Sequence, residues 1–408
     1  MLSVAVNQQP ATSNQQPATK KTVSTSVYST LRGDRVIWMI VALLAMFSII
    51  IVYSATGTLA FKYYKGDTSG FLLKQTGLLG LGLFLTYICY LLHPKRYSKM
   101  AATLFLVSIP LLVYTLAAGV DIDEARRWIE VPFTGLTFQT SDFARIALLM
   151  YLAKALSISD YIKDFNSAFM PIIVPVIIIC GLIAPADGST AALLFLTCML
   201  LMFIGRVDLK YIVLLVMCGL VLFAFLFILG EVFPEIVRSG TWSSRIRDFW
   251  FSEDGGYQVQ QSKMAIASGG LFGVGPGNSL IRNFLPSPYA DFIYAIICEE
   301  YGLIGGIGII GLYLLLLFRV ARLVTVSNKG FGAMLALGLA LSIVTQALAN
   351  VAVAVHLLPV TGLTLPIVSY GGTSLIFTCI SFGIILSVSK NIQKITEPVA
   401  EEEGFGKG

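Results

Sequence analysis

Charge is what this chain has least of. Of its 408 residues, 12% are charged and 56% are hydrophobic, and the mean hydropathy is +0.81. An ordinary soluble domain, in which about a quarter of residues carry charge, is excluded by that balance. Histidine is scarcer still. His93 and His356 are the only two and lie far apart, which argues against a multi-histidine metal centre and weakens, without removing, a Ser-His-Asp arrangement. The six cysteines (Cys89, Cys180, Cys198, Cys218, Cys298, Cys379) show no paired spacing and fall inside apolar runs. Buried small side chains fit them better than disulfides or zinc ligands. Residues 1–34 are polar, with no apolar core and small-residue cleavage site, so no cleavable signal peptide is expected. The net charge of +5 is no argument for nucleic acid, because the basic residues gather at the ends of apolar runs.

Apolar runs are abundant, and each is long enough to cross about 30 Å of hydrocarbon. Ten are expected, at 35–55, 70–92, 99–119, 141–157, 168–185, 189–206, 210–231, 290–318, 331–355 and 366–389. The fourth is interrupted by Asp142, Arg145 and Lys154. The fold class is therefore all-α: a polytopic membrane protein of about ten transmembrane helices, with a large loop between spans seven and eight. An even number of spans puts both termini on one side. Lys20, Lys21, Arg32 and Arg35, then Lys95, Arg96 and Lys99, then Arg206 and Lys210, then Arg319, Arg322 and Lys329 share that side. The positive-inside rule makes it cytoplasmic. Three segments result: a polar N-terminal tail over 1–34 carrying NQQPAT twice, a membrane domain over 35–390 with its extracytoplasmic loop at 232–289, and a C-terminal tail over 391–408.

The unusual polar residues collect on the outer side. One loop brings Arg126, Arg127, Trp128 and Gln139 up to Asp142 and Arg145. Tryptophan beside arginine at a membrane edge fits interfacial anchoring; the planar guanidinium forks equally suit phosphate. In the large loop, GYQVQQSKMAIASGG sets Gln258, Gln261, Ser262 and Lys263 beside Met264, Ala265 and Ile266, as a short helix at or re-entering the interface would. Glycines 269, 270, 273, 275 and 277 follow. A nucleotide loop is poorly supported, since no strand precedes it and no GK[ST] follows. A tight turn, or backbone amides facing an oxyanion, remains.

LPSPYADFIYAIICEEYG places Asp291 where the loop enters a span and Glu299 and Glu300 within it. On a helix Glu299 stands about 80° around and about 12 Å deeper than Asp291, so the two form no close carboxylate pair. Asp291 fits either a helix cap or a general base, whose proton affinity the helix dipole lowers and apolar neighbours raise. The two glutamates fit structural roles near Gly302, Gly305 and Gly306. The last outer loop, HLLPVTGLTLPIVSYGGTS, breaks its helix at membrane depth and suggests a lined cavity.

ARRWI, FQTSDFARIALLMYLA, GYQVQQSKMAIASGGLFGVGPGNS, DFIYAIICEEYGLIG and LPVTGLTLPIVSYGGTS, in that order, resemble the SEDS family (shape, elongation, division and sporulation). The resemblance covers about residues 35–390, and GVGPGNS and GLTLP point to its division branch over its elongation branch. It implies a peptidoglycan glycosyltransferase of the bacterial cytoplasmic (inner) membrane that polymerises lipid II, the undecaprenyl-pyrophosphate-linked disaccharide-pentapeptide, on the outer face at the division septum. Asp291 takes the place of the family's essential aspartate, here the base of an inverting displacement. Arg126, Arg127, Trp128, Gln139, Arg145, Gln258, Gln261, Ser262 and Lys263 are the implied substrate-binding residues. Implied partners are a class B penicillin-binding protein transpeptidase, other divisome proteins and membrane lipid, with no nucleic acid. No cofactor is certain; a divalent cation, Mg or Mn, at the pyrophosphate is the candidate.

Three departures stand out. Ser287 and Tyr289 replace the glutamate and histidine of the family's LPExHxDF pattern; QTSD…R, with Thr140, Asp142 and Arg145, replaces QPSE…K; and PADGST displaces an acid to Asp187. The rival functions are a RodA-like elongation polymerase of the same chemistry, a lipid II flippase or transporter, and a non-catalytic scaffold.

Overall fold

The computed structural model describes residues 33–56, 69–122, 125–130, 137–158, 169–232, 239–252, 256–326 and 330–405. The tail over 1–32 lies outside the described residues. Every expected span carries a helix: α1 (Arg35–Ala55), α2 (Ser69–Leu91), α3 (Pro94–Ala118), α4 (Thr140–Ile158), α5 (Val174–Ile183, entered through a π turn at Phe169–Ile173), α6 (Gly188–Ile204), α7 (Leu209–Val232), α10 (Ile293–Val326), α11 (Phe331–Ala354) and α12 (Gly372–Phe405). Two further helices, α8 (Ser239–Phe251) and α9 (Gly256–Gly269), lie in the large loop. Seven of these helices are long and apolar enough to cross a membrane, and Met170–Ile183 and Gly188–Ile204 are shorter apolar ones. The chain is a multi-pass membrane protein.

Burial ranks the helices. In the most apolar window of α11, 78% of residues are buried, against 17% in that of α7. Helix α12 matches α11 at 78% over Gly372–Ile392, and α11 packs against α4, α6, α10 and α12, while α7 turns Leu220, Val221 and Phe225 outward. Small side chains permit that packing. A Cβ on Gly338 would come within 3.0 Å of Leu201 Cδ2, the close backbone approach through which membrane helices gain packing energy. At the end remote from the candidate site, Asp34 caps α1 through Val36 N (2.8 Å), receives Arg319 of α10 at 3.0 Å and donates its own amide to Ser389 of α12 (2.8 Å).

Three features extend the all-α expectation. A three-stranded antiparallel sheet of β1 (Val120–Ile122), β2 (Ala125–Glu130) and β3 (Thr137–Gln139) bridges α3 and α4, with Trp128 opposite both Val120 and Gln139. Helix α12 begins at Gly372, not at 366, because Pro366 and Gly371 deny the earlier residues a helical ladder. Helix α10 runs eight residues past its expected end at 318 and is kinked at Gly302, with φ 69° and ψ −173°.

Candidate active site

The kink at Gly302 explains the two adjacent glutamates. Helix α9 descends beside α10, and the glycine-rich turn after it reaches the depth of the kink. There the turn exchanges backbone hydrogen bonds with the broken helix. Val274 N donates to Glu299 O (2.9 Å) and Gly275 N to Glu300 O (3.0 Å), while Leu303 N donates to Gly270 O (2.9 Å). Helix-breaking backbone at membrane depth survives only when its polar groups are paired in this way. The contact admits no side chain: a Cβ on Gly302 would stand 2.2 Å from Leu271 O. These amides therefore serve α10 and cradle no oxyanion.

The carboxylates secure the chain's return. Buried Glu299 accepts from Ser279 Oγ, from Leu280 N (3.0 Å) and from Ile281 N (3.2 Å). Glu300 accepts from Ser54 Oγ at the end of α1, and Arg282 donates to Ser54 O at 2.9 Å. Both acids are structural, and they fix where residues 279–282 begin their climb to Asp291.

Asp291 lies two residues before α10 and is half-buried. Its neighbourhood is held from α11 and from the loop between α11 and α12. Asn350 Nδ2 donates to Asp291 O (2.8 Å) and Leu363 O (2.6 Å), and Ser369 Oγ donates to Ala290 O (2.7 Å). Tyr370 N donates to Tyr289 O at 2.9 Å, and the two tyrosine rings meet edge to face. One helical turn before Asn350, Gln346 binds Thr364 O (2.9 Å) and receives Arg145. The carboxylate faces Gly362, whose φ is +71° and whose Cβ position lies 3.7 Å from Asp291 Oδ2. Glycine there relieves backbone strain and keeps a side chain off the acid.

The other expected site residues divide into groups. Gln258 lines a chamber of about 320 Å³ with Phe249 and His356. Half-buried Lys263 lies near enough to help hold the His356 imidazole below its ordinary pKa, with burial as the larger cause. Ser262 is committed to Ala354 O (2.8 Å), and Gln261 is buried. Arg145 is engaged by Asp142 (3.0 Å) and Gln346. Arg127 joins a separate cluster: it donates to Ala186 O (3.0 Å) and pairs with Asp187 (3.1 Å), which caps α6 through Thr190 N. That gives the displaced acid of PADGST a structural role. Trp128 and Gln139 pair across β2 and β3, and Gln139 N donates to Thr373 Oγ1. The Arg126 side chain lies outside the described residues. Sequence reasoning missed the work of Gln346, Asn350 and Ser369. The spacing of Gln346 and Asn350 by four in an apolar helix was the available signal.

The family model described as "Cell cycle protein", covering FtsW, RodA and SpoVE, matches residues 34–394. A curated relative from Geobacter sp. (strain M18), named probable peptidoglycan glycosyltransferase FtsW, is 33% identical over 370 residues, covering 88% of this chain and 97% of the relative. Among solved structures, Thermus thermophilus RodA is similar at TM-score 0.65 and 26% identity, covering 89% of this chain and 98% of that one. A chain of a peptidoglycan synthase complex, described as coordinating polymerization and crosslinking, matches at TM-score 0.65 and 27% identity, covering 88% and 98%. The chain belongs to the FtsW/RodA/SpoVE family of cell cycle proteins.

Proposed function

We propose that this protein is a peptidoglycan glycosyltransferase that polymerises lipid II, with Asp291 as general base. The observation that carries the reading is a half-buried carboxylate at the mouth of a membrane helix, its backbone fastened from two elements and a glycine, Gly362, facing its side chain. In the reaction the C4 hydroxyl oxygen of one lipid-linked sugar bonds to the anomeric carbon of another. The bond from that carbon to the pyrophosphate oxygen breaks, and the hydroxyl proton passes to Asp291. Such proton removal contributes about 10²–10⁴-fold. Glu299 and Glu300, the carboxylates next along the helix, are engaged by Ser279 and Ser54, and the reading is a single displacement with inversion. Fixed positive charge would stabilise the departing pyrophosphate, and Lys263, whose charge reaches the chamber's His356, is a candidate. A divalent cation at the pyrophosphate would add Lewis acidity. Among the described residues, however, no three His, Cys, Asp or Glu converge to hold one.

The site end would face outward from the cytoplasmic membrane, with both termini inside, a reading the distribution of basic residues supports. The family's description as cell cycle proteins supports work in septal wall synthesis. The match to a chain of a synthase complex supports a transpeptidase partner of the class B penicillin-binding type. Purified protein incubated with lipid II in detergent, with and without that transpeptidase, should yield glycan strands resolved by gel. Detergent leaves no second compartment, so strand formation there refutes a purely transporting role. No strands under either condition would refute the polymerase.

A further inference from the structure

Three side chains grip the loop between α11 and α12 where it passes Asp291. Asn350 Nδ2 donates to Leu363 O (2.6 Å), Gln346 Nε2 donates to Thr364 O (2.9 Å), and Ser369 Oγ accepts from Leu365 N (2.8 Å). Residues 363–365 are thus each held by a side chain, as backbone outside a helix at membrane depth requires. Two of the three also hold the chain that carries the base: Asn350 through Asp291 O and Ser369 through Ala290 O. Gln346 bears on a different part. Its bond to the loop falls two residues beyond Gly362, whose Cβ position lies 3.7 Å from Asp291 Oδ2. Asn350 and Ser369 therefore set the backbone of the acid, and Gln346 sets what faces its carboxylate.

The Gln346 amide has one workable orientation. A carboxamide is an acceptor at one end and a donor at the other. Its Oε1 receives Arg145 Nη1, which can only donate, and its Nε2 is left for Thr364 O, which can only accept. Arg145 is fixed in turn, its Nη2 lying 3.0 Å from Asp142 Oδ1. Asp142 and Gln346 are buried and the Arg145 side chain is 12% exposed, so water competes little for these bonds. An ion pair within α4 thus selects which way an amide on α11 points, and that amide holds the loop beside Asp291.

We propose that Gln346 is a positioning residue for the glycosyl transfer: held in one orientation by the Asp142–Arg145 pair, it fixes residues 362–364 against the Asp291 carboxylate. This rests on the polymerase reading above and gives a task to a residue that reading leaves without one. Gln346 touches no reacting atom and acts through the loop. Its loss should therefore disturb the placing of base and sugar hydroxyl, which kcat reports, and spare the binding of lipid II, which KM reports.

Two substitutions of similar volume separate positioning from packing. Gln346→Met offers Arg145 no carbonyl and Thr364 O no donor. Gln346→Glu, assayed at about pH 8 where a carboxyl beside Arg145 is ionised, keeps the acceptor for Arg145 and loses only the donor. Purified full-length protein with lipid II gives kcat and KM for strand formation. Both variants should lose kcat about tenfold, the effect of a small misplacement, with KM within about twofold of the wild type. The Glu variant, with Arg145 still satisfied, should melt close to the wild type and the Met variant earlier. A residue that only stabilises the fold predicts activity that follows melting temperature, normal in Glu and lowered in Met. That result, or a wild-type kcat in both, would overturn the proposal. So would a rise in KM at constant kcat, the mark of a substrate contact. Hydrogen–deuterium exchange over 361–365 needs no turnover. It should quicken in both variants while the helices keep wild-type protection, and unchanged exchange would overturn the positioning role. If the wild type makes no strands, the polymerase reading falls and exchange alone decides the role of Gln346.

Discussion

Replacing Glu299 with alanine removes the shared acceptor of three donors: Ser279 Oγ, Leu280 N and Ile281 N. The serine contact is buried and the two amide contacts are part-buried. An orphaned buried donor costs about 1–3 kcal/mol, and a part-buried one sits at the low end of that range. The sum is about 3 kcal/mol, a fall of roughly 5 °C in the unfolding midpoint. Glu299→Gln can keep its carbonyl oxygen on both amides and turn its N–H₂ to Ser279 Oγ, which can accept, so it should lose less than half as much. Thermal unfolding in detergent, followed by intrinsic fluorescence, measures both. Limited proteolysis should find 276–290 newly cleavable, and polymerisation should fall because that segment leads directly into Asp291. An alanine variant that melts with the wild type and polymerises normally would show that Glu299 does not anchor the returning chain.

Other substitutions probe other supports. Gly302→Ala should prevent accumulation of folded protein, since its Cβ would lie 2.2 Å from Leu271 O; membrane-fraction yield reads this. Asn350→Leu leaves Asp291 O and Leu363 O without their donor, so kcat should fall about tenfold or more with a destabilisation near 2 kcal/mol, separable by kinetics and melting. Asp187→Ala removes the α6 cap and the partner of Arg127 and should cost about 1–2 kcal/mol. Burial and Lys263 hold the His356 imidazole below its ordinary pKa of 6.5, so the folded state binds its proton less readily than the unfolded state. Its share of stability is present above that value and is lost as pH falls below it. Melting from about pH 7.5 to about pH 5.5 should therefore decline more steeply in the wild type than in His356→Gly.

The spans were legible because twenty apolar residues in lipid leave the backbone only a helix. Even the interrupted fourth span was readable, since Asp142 and Arg145 neutralise one another within a turn. The structural reading of Glu299 and Glu300 was also available, since neighbouring residues on a helix point about 100° apart, and the two take separate partners, Ser279 and Ser54. The sheet was not legible. ARRWIE has no strict alternation, and its partner strands are three residues each. Nor was the use of the glycine turn, because nothing local to GGLFGVG says that its amides will meet the carbonyls of a helix some 25 residues later in the chain. His356 was read only as a scarce residue; its strain and its unpaired nitrogen exist only once Phe249 is folded against it.

Purified wild type and Asp291→Asn, matched for melting temperature and incubated with lipid II under identical conditions, give the decisive comparison. The account predicts glycan strands from the wild type and none from the asparagine variant. Strands of comparable yield and length from both would contradict it.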